Sequence, residues 1–150
     1  MGNHKYLLLL ALAATTAFAS CSKDGKDDDD SRTAIVGSYD VTATLNEVNG
    51  SHDTTVISGV TYLLTITLPT AGDSLSNDFI IIRNIANDEV NGDIPASLTN
   101  DVLVFDPQGI GRREVAGTAT VNGNTITGSF TYLNRFDMIT STTFTATKRN

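Results

Sequence analysis

Apolar and polar residues alternate along most of the chain between residues 35 and 148. In one stretch, apolar side chains occupy every second position, at Tyr39, Val41, Ala43 and Leu45, and the residues between them are polar. Successive side chains of a β-strand point to opposite faces of the sheet. This period of two therefore predicts strands with one buried face and one solvated face.

Comparable runs recur at short intervals and predict eight strands. They centre on residues 38–45, 61–68, 79–82, 90–98, 102–105, 119–121, 126–132 and 142–146. Pro95 lacks a backbone donor and suits an edge strand or a bulge, and Asn122-Gly123 predicts a two-residue hairpin turn. Residues 106–109, Asp-Pro-Gln-Gly, are expected to break the chain. The pattern predicts an all-β antiparallel meander, either closed as an eight-stranded barrel or folded as a β-sandwich.

The first twenty residues follow a different pattern. Lys5 precedes an apolar stretch of 14 residues, counted from Tyr6 to Ala19, and small residues lead to Cys21. A membrane-spanning helix needs roughly 18 or more apolar residues, so this stretch is too short to span a bilayer. Residues 1–20 are therefore predicted to be a cleaved signal peptide.

Phe18-Ala19-Ser20-Cys21 resembles the lipobox of bacterial lipoproteins, and Cys21 is the only cysteine of the chain. The resemblance implies that the lipoprotein processing machinery attaches a diacylglycerol to the Cys21 thiol and cuts the chain before this residue. The new amine is then acylated, for example with palmitate. Two or three acyl chains hold a protein firmly in a membrane. The alternative is an ordinary secretory signal with a chance cysteine.

Residues 21–31 form a polar segment with four consecutive aspartates, Asp27 to Asp30. Beyond Cys21 the segment has no apolar residue, so it is predicted to be a disordered, solvated tether. It resembles the region after the lipidated cysteine in lipoproteins of the Bacteroidota, where Ser and Lys followed by acidic residues act as an export signal. The residues that match are Ser22, Lys23, Asp24, Lys26, Asp27 and Asp28. The resemblance implies export to the outer face of the outer membrane, and the alternative is its periplasmic face.

Ile35-Val36-Gly37-Ser38-Tyr39, followed by an alternating strand, resembles the opening of lipocalin-like bacterial domains. Later segments, at 79–85, 104–108 and 117–124, resemble small lipocalin-like lipoproteins of the Bacteroidota. The resemblance implies that residues 32–150 form one lipocalin-like barrel domain. An eight-stranded barrel either holds one small ligand or is filled by side chains.

Charge and residue types exclude several classes of function. The formal net charge is −7, and binding to nucleic acid requires clustered Lys and Arg, so no nucleic-acid partner is predicted. One cysteine and two histidines cannot build a Cys-based zinc site, and we predict neither a metal nor another cofactor. His52 lies in a polar stretch and is predicted to be an exposed loop residue. We find no pairing of a nucleophile with a base, and we predict that the protein is not an enzyme.

Tyr39, Tyr62 and Tyr132 fall on the apolar faces of their strands, which favours packing in the core over stacking on sugars. Two further segments, Asp53-Thr54-Thr55 and Asp73-Ser74-Leu75, resemble the acceptor for O-glycans in envelope proteins of the Bacteroidota. Both segments are predicted to lie in loops, so Thr54 and Ser74 are candidate O-glycosylation sites.

Two functions remain open from the sequence. The first is a non-catalytic module that binds a small apolar ligand or a glycan. The second is a structural or accessory envelope protein that binds another outer-membrane protein. An open apolar cavity of several hundred cubic ångströms would favour the first. A filled interior with an exposed apolar patch would favour the second.

Overall fold

The structure of the protein is a computed structural model that describes residues 30–70, 79–88, 93–110, 113–134, 136 and 138–150. These residues form one short helix, α1 (Ser31–Ile35), and eight strands. The strands are β1 (Gly37–Val48), β2 (Thr54–Thr67), β3 (Phe79–Arg83), β4 (Asp93–Thr99), β5 (Val102–Ile110), β6 (Arg113–Asn122), β7 (Thr125–Leu133) and β8 (Ile139–Lys148).

The strands form a closed antiparallel barrel in the order β1 to β8. Each strand pairs with the next one along the chain, and β8 pairs with β1 from Tyr39 opposite Lys148 to Val48 opposite Ile139. The predicted all-β meander is therefore confirmed, and it closes as a barrel rather than folding as a sandwich.

On β1, the side chains inside the barrel are those that the alternating pattern predicted. Tyr39, Val41 and Ala43 are buried on β1, and Leu45 packs against the core at the end of the same row. Buried aliphatic and aromatic side chains from the other strands complete the interior: Leu64, Ile66, Ile80, Ile82, Ile94, Leu103, Phe105, Val115, Ile126, Phe130, Tyr132 and Phe144. At about 25 cal/mol per Å² of apolar surface removed from water, this interior is the main stabilising term of the fold.

Pro95 was predicted to suit an edge strand or a bulge, and Pro107 to lie in a break of the chain. The structure places both within strands. β5 continues through the predicted break at residues 106–109, and its register on β6 shifts between Phe105 and Gln108, around Pro107. A bulge leaves one residue unpaired, so it tolerates a residue without an N–H group. Pro95 pairs with Ile81 of β3. The pairing of β4 with β5 covers only Ser97–Thr99, so Pro95 has no paired residue on β5.

Two tight turns join strands at the same end of the barrel. Asn122 pairs with Thr125, so the central residues of the β6–β7 turn are Gly123 and Asn124, one residue later than predicted. Gly123 has a φ of 56°, the left-handed conformation that a II′ turn requires at its first central position. Asn100 and Asp101 form the β4–β5 turn with φ values of 50° and 63°. Positive φ at both positions is typical of a type I′ turn.

Helix α1 covers this same end, which we call the proximal end. Ile35 is buried in the core, and the Tyr39 hydroxyl donates a hydrogen bond of 2.6 Å to its carbonyl oxygen. Lys148 Nζ donates to the Ala34 carbonyl oxygen at 2.7 Å. The Asp30 carboxylate accepts from the Arg32 backbone N–H at 3.1 Å and thereby caps the helix. Asp30 and Ser31 are the last residues of the predicted tether, and in the structure they are the N-cap and the first residue of α1.

Candidate functional site

The interior of the barrel is filled by side chains at the positions that the structure describes. Among these residues, two voids of about 10 Å³ each are found, and a void of this size has room for roughly one water molecule. One is lined by apolar side chains alone, among them Leu64, Leu103, Phe105 and Phe144. Pockets for small molecules usually measure about 300–1,000 Å³. The described interior therefore has no preformed space for the apolar ligand that the lipocalin resemblance suggested.

The connection after β3, residues 84–88, closes the barrel opposite α1. We call this the distal end, and it also carries the β1–β2 and β7–β8 connections. Ile85 and Ala86 are buried in the core. The Tyr62 hydroxyl donates to the Ile85 carbonyl oxygen at 2.6 Å, and Asn84 Nδ2 donates to the Leu63 carbonyl oxygen at 2.8 Å. These bonds hold the connection over the mouth of the barrel.

The connection takes an uncommon backbone path. Asn84, Asn87 and Asp88 have φ values of 60°, 50° and 63°. Asn and Asp tolerate the left-handed region better than other residues with a Cβ, because their short side chains bond locally to the backbone. Asn84 Oδ1 accepts from the Asp88 backbone N–H at 2.6 Å. The sequence did not predict this connection, although its three Asn or Asp residues are a recognisable turn signal.

Two buried hydroxyl groups below this connection have no hydrogen-bond partner. Thr140 and Thr142 are 0% and 2% exposed, and both Oγ1 atoms are unpaired. They follow each other on the inner face of β8, with Thr140 opposite Tyr132 and Thr142 opposite Phe130 on β7. A buried polar group without a partner costs about 1–3 kcal/mol. The distal part of the barrel interior therefore contains two polar atoms without a hydrogen-bond partner in the protein.

An exposed apolar patch lies on the outer wall at the distal end, and the sequence did not predict it. Val56 and Ile139 are 59% and 55% exposed. Ile139 lies between Val48 and Leu133 of the adjacent strands. Val56 of β2 pairs with Asn46, two residues before Val48 on β1. These four side chains share the outer face because the side-chain period of a strand is two. Phe136, 67% exposed, lies in the β7–β8 connection between Leu133 and Ile139.

These five residues, Val48, Val56, Leu133, Phe136 and Ile139, are called the distal patch below. The β7–β8 connection that presents Phe136 is ordered by Asn134. Asn134 Oδ1 accepts from the Phe136 and Met138 backbone N–H groups at 2.9 and 3.1 Å. The sequence contained a signal for the patch. The inward residues of β8 occupy every second position from Thr140 to Ala146, so the alternation places the apolar Ile139 on the outer face.

The lipidation and export residues that the sequence predicted lie outside the described residues. These are Cys21, Ser22, Lys23, Asp24, Lys26, Asp27 and Asp28. Ser74 also lies outside them. Thr54 is exposed, but it is the first residue of β2 and pairs with Val48, so it lies at a strand end rather than in a loop. His52 is an exposed residue of the β1–β2 connection, as predicted.

Among the described side chains, two ion pairs lie on the outer wall of the barrel. Arg149 bonds to Asp40 and holds the pKa of that carboxyl group below its ordinary value, and Arg83 pairs with Asp93 at 3.0 Å. All four side chains are at least half exposed, so each pair contributes little to stability.

The described residues contain no group of three or more His, Cys, Asp or Glu side chains that could hold a metal ion. Within the same residues, no helix has the length and apolar character to cross a membrane.

Comparison with models of known protein families and with curated proteins found no match. Two features of the structure thus remain as candidates for function. They are the distal patch and the buried, unpaired hydroxyl groups of Thr140 and Thr142.

Proposed function

We propose that the protein is a lipid-anchored, non-catalytic module of the outer membrane that binds another envelope protein through the distal patch. The observation that carries this proposal is the combination of a barrel that is filled at its described positions with exposed apolar side chains grouped at one end. Apolar patches on a soluble surface mark sites of protein contact when they are contiguous rather than scattered.

The position of the patch favours a partner over the protein's own membrane. Strand β1 has 12 residues, so it spans about 40 Å along its length and roughly 30 Å along the barrel axis. The chain enters at the proximal end, through α1. Residues 22–29 separate the predicted anchor at Cys21 from Asp30, a reach of at most about 30 Å. The patch therefore points away from the bilayer when the proximal end faces it.

The anchor and the location rest on the sequence. Lipidation of Cys21 holds the protein in the outer membrane, and the Ser, Lys and Asp residues that follow direct it to the outer face. On this face the distal patch is presented to other surface proteins. On the periplasmic face, the alternative location, it is presented to proteins of that compartment.

A small apolar ligand or a glycan, the other predicted class of partner, finds less support as the main function. The described residues enclose no cavity of ligand size, and the tyrosines that could stack on a sugar are not exposed. Tyr39 and Tyr132 are 0% and 3% exposed, and Tyr62 is half-buried with its hydroxyl bonded to the Ile85 carbonyl oxygen.

Crosslinking in intact cells tests the proposal. A double variant, Val56→Ser with Ile139→Ser, removes the exposed centre of the patch without changing the core. The matched control is Leu63→Ser with Val102→Ser, which alters two apolar side chains of 41% and 38% exposure outside the patch. The same crosslinked band, identified by mass spectrometry, should be lost in the patch variant and retained in the control.

Equal crosslinking in wild type, patch variant and control would show that the patch is not the binding surface. A second measurement separates a protein partner from a membrane. The mature chain with Cys21→Ser should not bind lipid vesicles. If it does bind them and the patch variant does not, the patch is a membrane contact and the proposal is wrong.

A further inference from the structure

We infer that the partner of the distal patch binds by adding a strand of its own to the free edge of β2, along residues 54–58. The inference rests on the proposed function for the existence of a protein partner. It goes further by naming the part of the partner that binds, which is an extended, uncharged segment of polypeptide. Three observations support it.

The first observation is the exposure of this part of β2. Residues 54–59 are all exposed. Val56 and Ile57 are neighbours and point to opposite faces of the strand, yet they are 59% and 41% exposed. The β1 residues at 45–48, which pair with this part of β2, are all partly covered. β1 has β2 on one side and β8 on the other, whereas among the described residues β3 pairs with β2 only at 65–67.

The second observation is the direction of the backbone groups. The Asn49 N–H donates to the Asp53 carbonyl oxygen at 3.1 Å, so the backbone polar groups of Asp53 face β1. Successive residues of a strand present these groups to opposite edges. Those of Thr54 and Val56 therefore face away from β1, toward the other edge. The Val56 side chain belongs to the distal patch, so this one residue contributes to both the patch and the edge.

The third observation is that the sequence of β2 does not protect this edge. Exposed edges of natural sheets commonly carry charged side chains or proline, which prevent pairing with another chain. β2 has neither along its 14 residues. β7 also has neither, but it pairs with both β6 and β8 from Thr125 to Thr131. An unprotected, exposed edge is the kind of surface to which an extended peptide adds as a further strand.

A β-bulge sets the length of the edge. The register of β1 on β2 shifts between Ala43 and Leu45, opposite Gly59, whose φ is 72°. A bulge bends its strand and disrupts regular pairing. The regular part of the edge is therefore residues 54–58, which span roughly 16 Å at about 3.3 Å per residue. This is the length of a short strand.

The neighbouring side chains define the chemistry of the added segment. An antiparallel strand on this edge places its side chains beside Val56 on the outer face and beside Ile57 on the inner face. The other residues of the edge, Thr54, Thr55 and Ser58, are uncharged, so β2 offers no ion pair to a charged side chain. The segment that fits is short, extended and rich in β-branched residues.

Amide hydrogen exchange followed by NMR tests the inference. It uses the mature chain from residue 21 with Cys21→Ser. The probe is the peptide Lys-Val-Thr-Val-Thr-Val-Lys with blocked termini. The control peptide carries a methyl group on each of its five central backbone nitrogens, which removes these N–H donors and keeps the side chains and the charge.

The first peptide should slow exchange of the Thr54 and Val56 amides by about tenfold when roughly nine-tenths of the protein is bound, because exchange then occurs from the free tenth. The Ile57 amide already faces β1 and should not change. The methylated peptide should leave all three amides unchanged.

Two substitutions at one position separate the backbone from the side chain. Val56→Pro keeps an apolar side chain and removes the N–H group at the edge. Val56→Ala keeps the N–H group and shortens the side chain. Peptide affinity should fall by about tenfold in Val56→Pro, which loses a hydrogen bond and leaves an acceptor unpaired, and by about threefold or less in Val56→Ala. If Val56→Pro does not fold, the two peptides compared on the unsubstituted strand decide the question.

In cells, the crosslinked band of the partner should be lost in Val56→Pro and only weakened in Val56→Ala. A band that is lost in the patch variant but retained in Val56→Pro would leave the proposed function standing and overturn strand addition. Equal effects of the two peptides would also overturn it. If exchange at Thr54 and Val56 slows when the protein alone is concentrated, the edge pairs with a second copy of the chain and the inference is wrong.

Discussion

Phe130 is the side chain whose removal should destabilise the barrel most. It is 2% exposed and lies at the centre of three aromatic contacts, with ring centroids 5.7 Å from Phe144, 5.9 Å from Tyr132 and 6.4 Å from Phe105. Truncating a buried phenylalanine to alanine typically costs about 3–5 kcal/mol. Each aromatic pair adds about 0.5–1.5 kcal/mol beyond the buried area. Phe130→Ala should therefore cost about 4–5 kcal/mol.

The neighbouring Thr131 is the control, because it points to the opposite face. Thr131 is exposed, and its hydroxyl makes only a long contact of 3.4 Å with the Ala116 carbonyl oxygen. Thr131→Ala should change the free energy of unfolding by about 0.5 kcal/mol or less. Both variants are measured by urea unfolding followed by circular dichroism, since the chain has no tryptophan. Similar losses in the two variants would refute the inward and outward assignment of β7.

Other positions give equally direct tests. A Cβ at Gly128 would collide with the Thr118 carbonyl oxygen and Ala119, so Gly128→Ala should cost about 3 kcal/mol in urea unfolding. Gly50→Ala, with open space around it, should be nearly neutral, and equal losses would contradict this packing. Burial, with a smaller contribution from Tyr132, raises the pKa of Tyr62. The folded state then binds this proton more tightly, so stability is complete below pH of about 10 and falls above it. Tyr62→Phe should make this alkaline loss less steep in urea melts at stepped pH, and an unchanged slope would assign the loss to another group. Cys21→Ala should give a protein without acyl mass and without membrane attachment, and an intact mass that starts elsewhere than residue 21 would exclude the lipid anchor. Alanine in place of Lys23 and Asp24 together with Asp27 to Asp30 should stop external protease from reaching the protein on whole cells, and equal digestion of variant and wild type would show that the segment is only a linker.

The sequence determined the strands and their inward faces, because the period of two is a local property of the chain. Tyr39, Val41 and Ala43 had to share a face wherever β1 lay in the molecule. The same local logic predicted the turn near Gly123, although the central pair lies one residue later. The prediction of a signal peptide and a lipidated Cys21, the only cysteine of the chain, likewise rests on the order of residues in the N-terminal segment alone.

Only the tertiary structure decided whether the sheet closes and whether its interior is open. Closure depends on the pairing of β1 with β8, two strands at opposite ends of the domain, and no local pattern specifies that contact. The filling depends on Ile85 and Ala86, which a short connection with a left-handed backbone folds into the mouth of the barrel. The distal patch arises in the same way, because the register brings Val48, Leu133 and Ile139 side by side from three strands. Each of these features depends on which distant residues become neighbours, and that is set by the packing of the whole barrel.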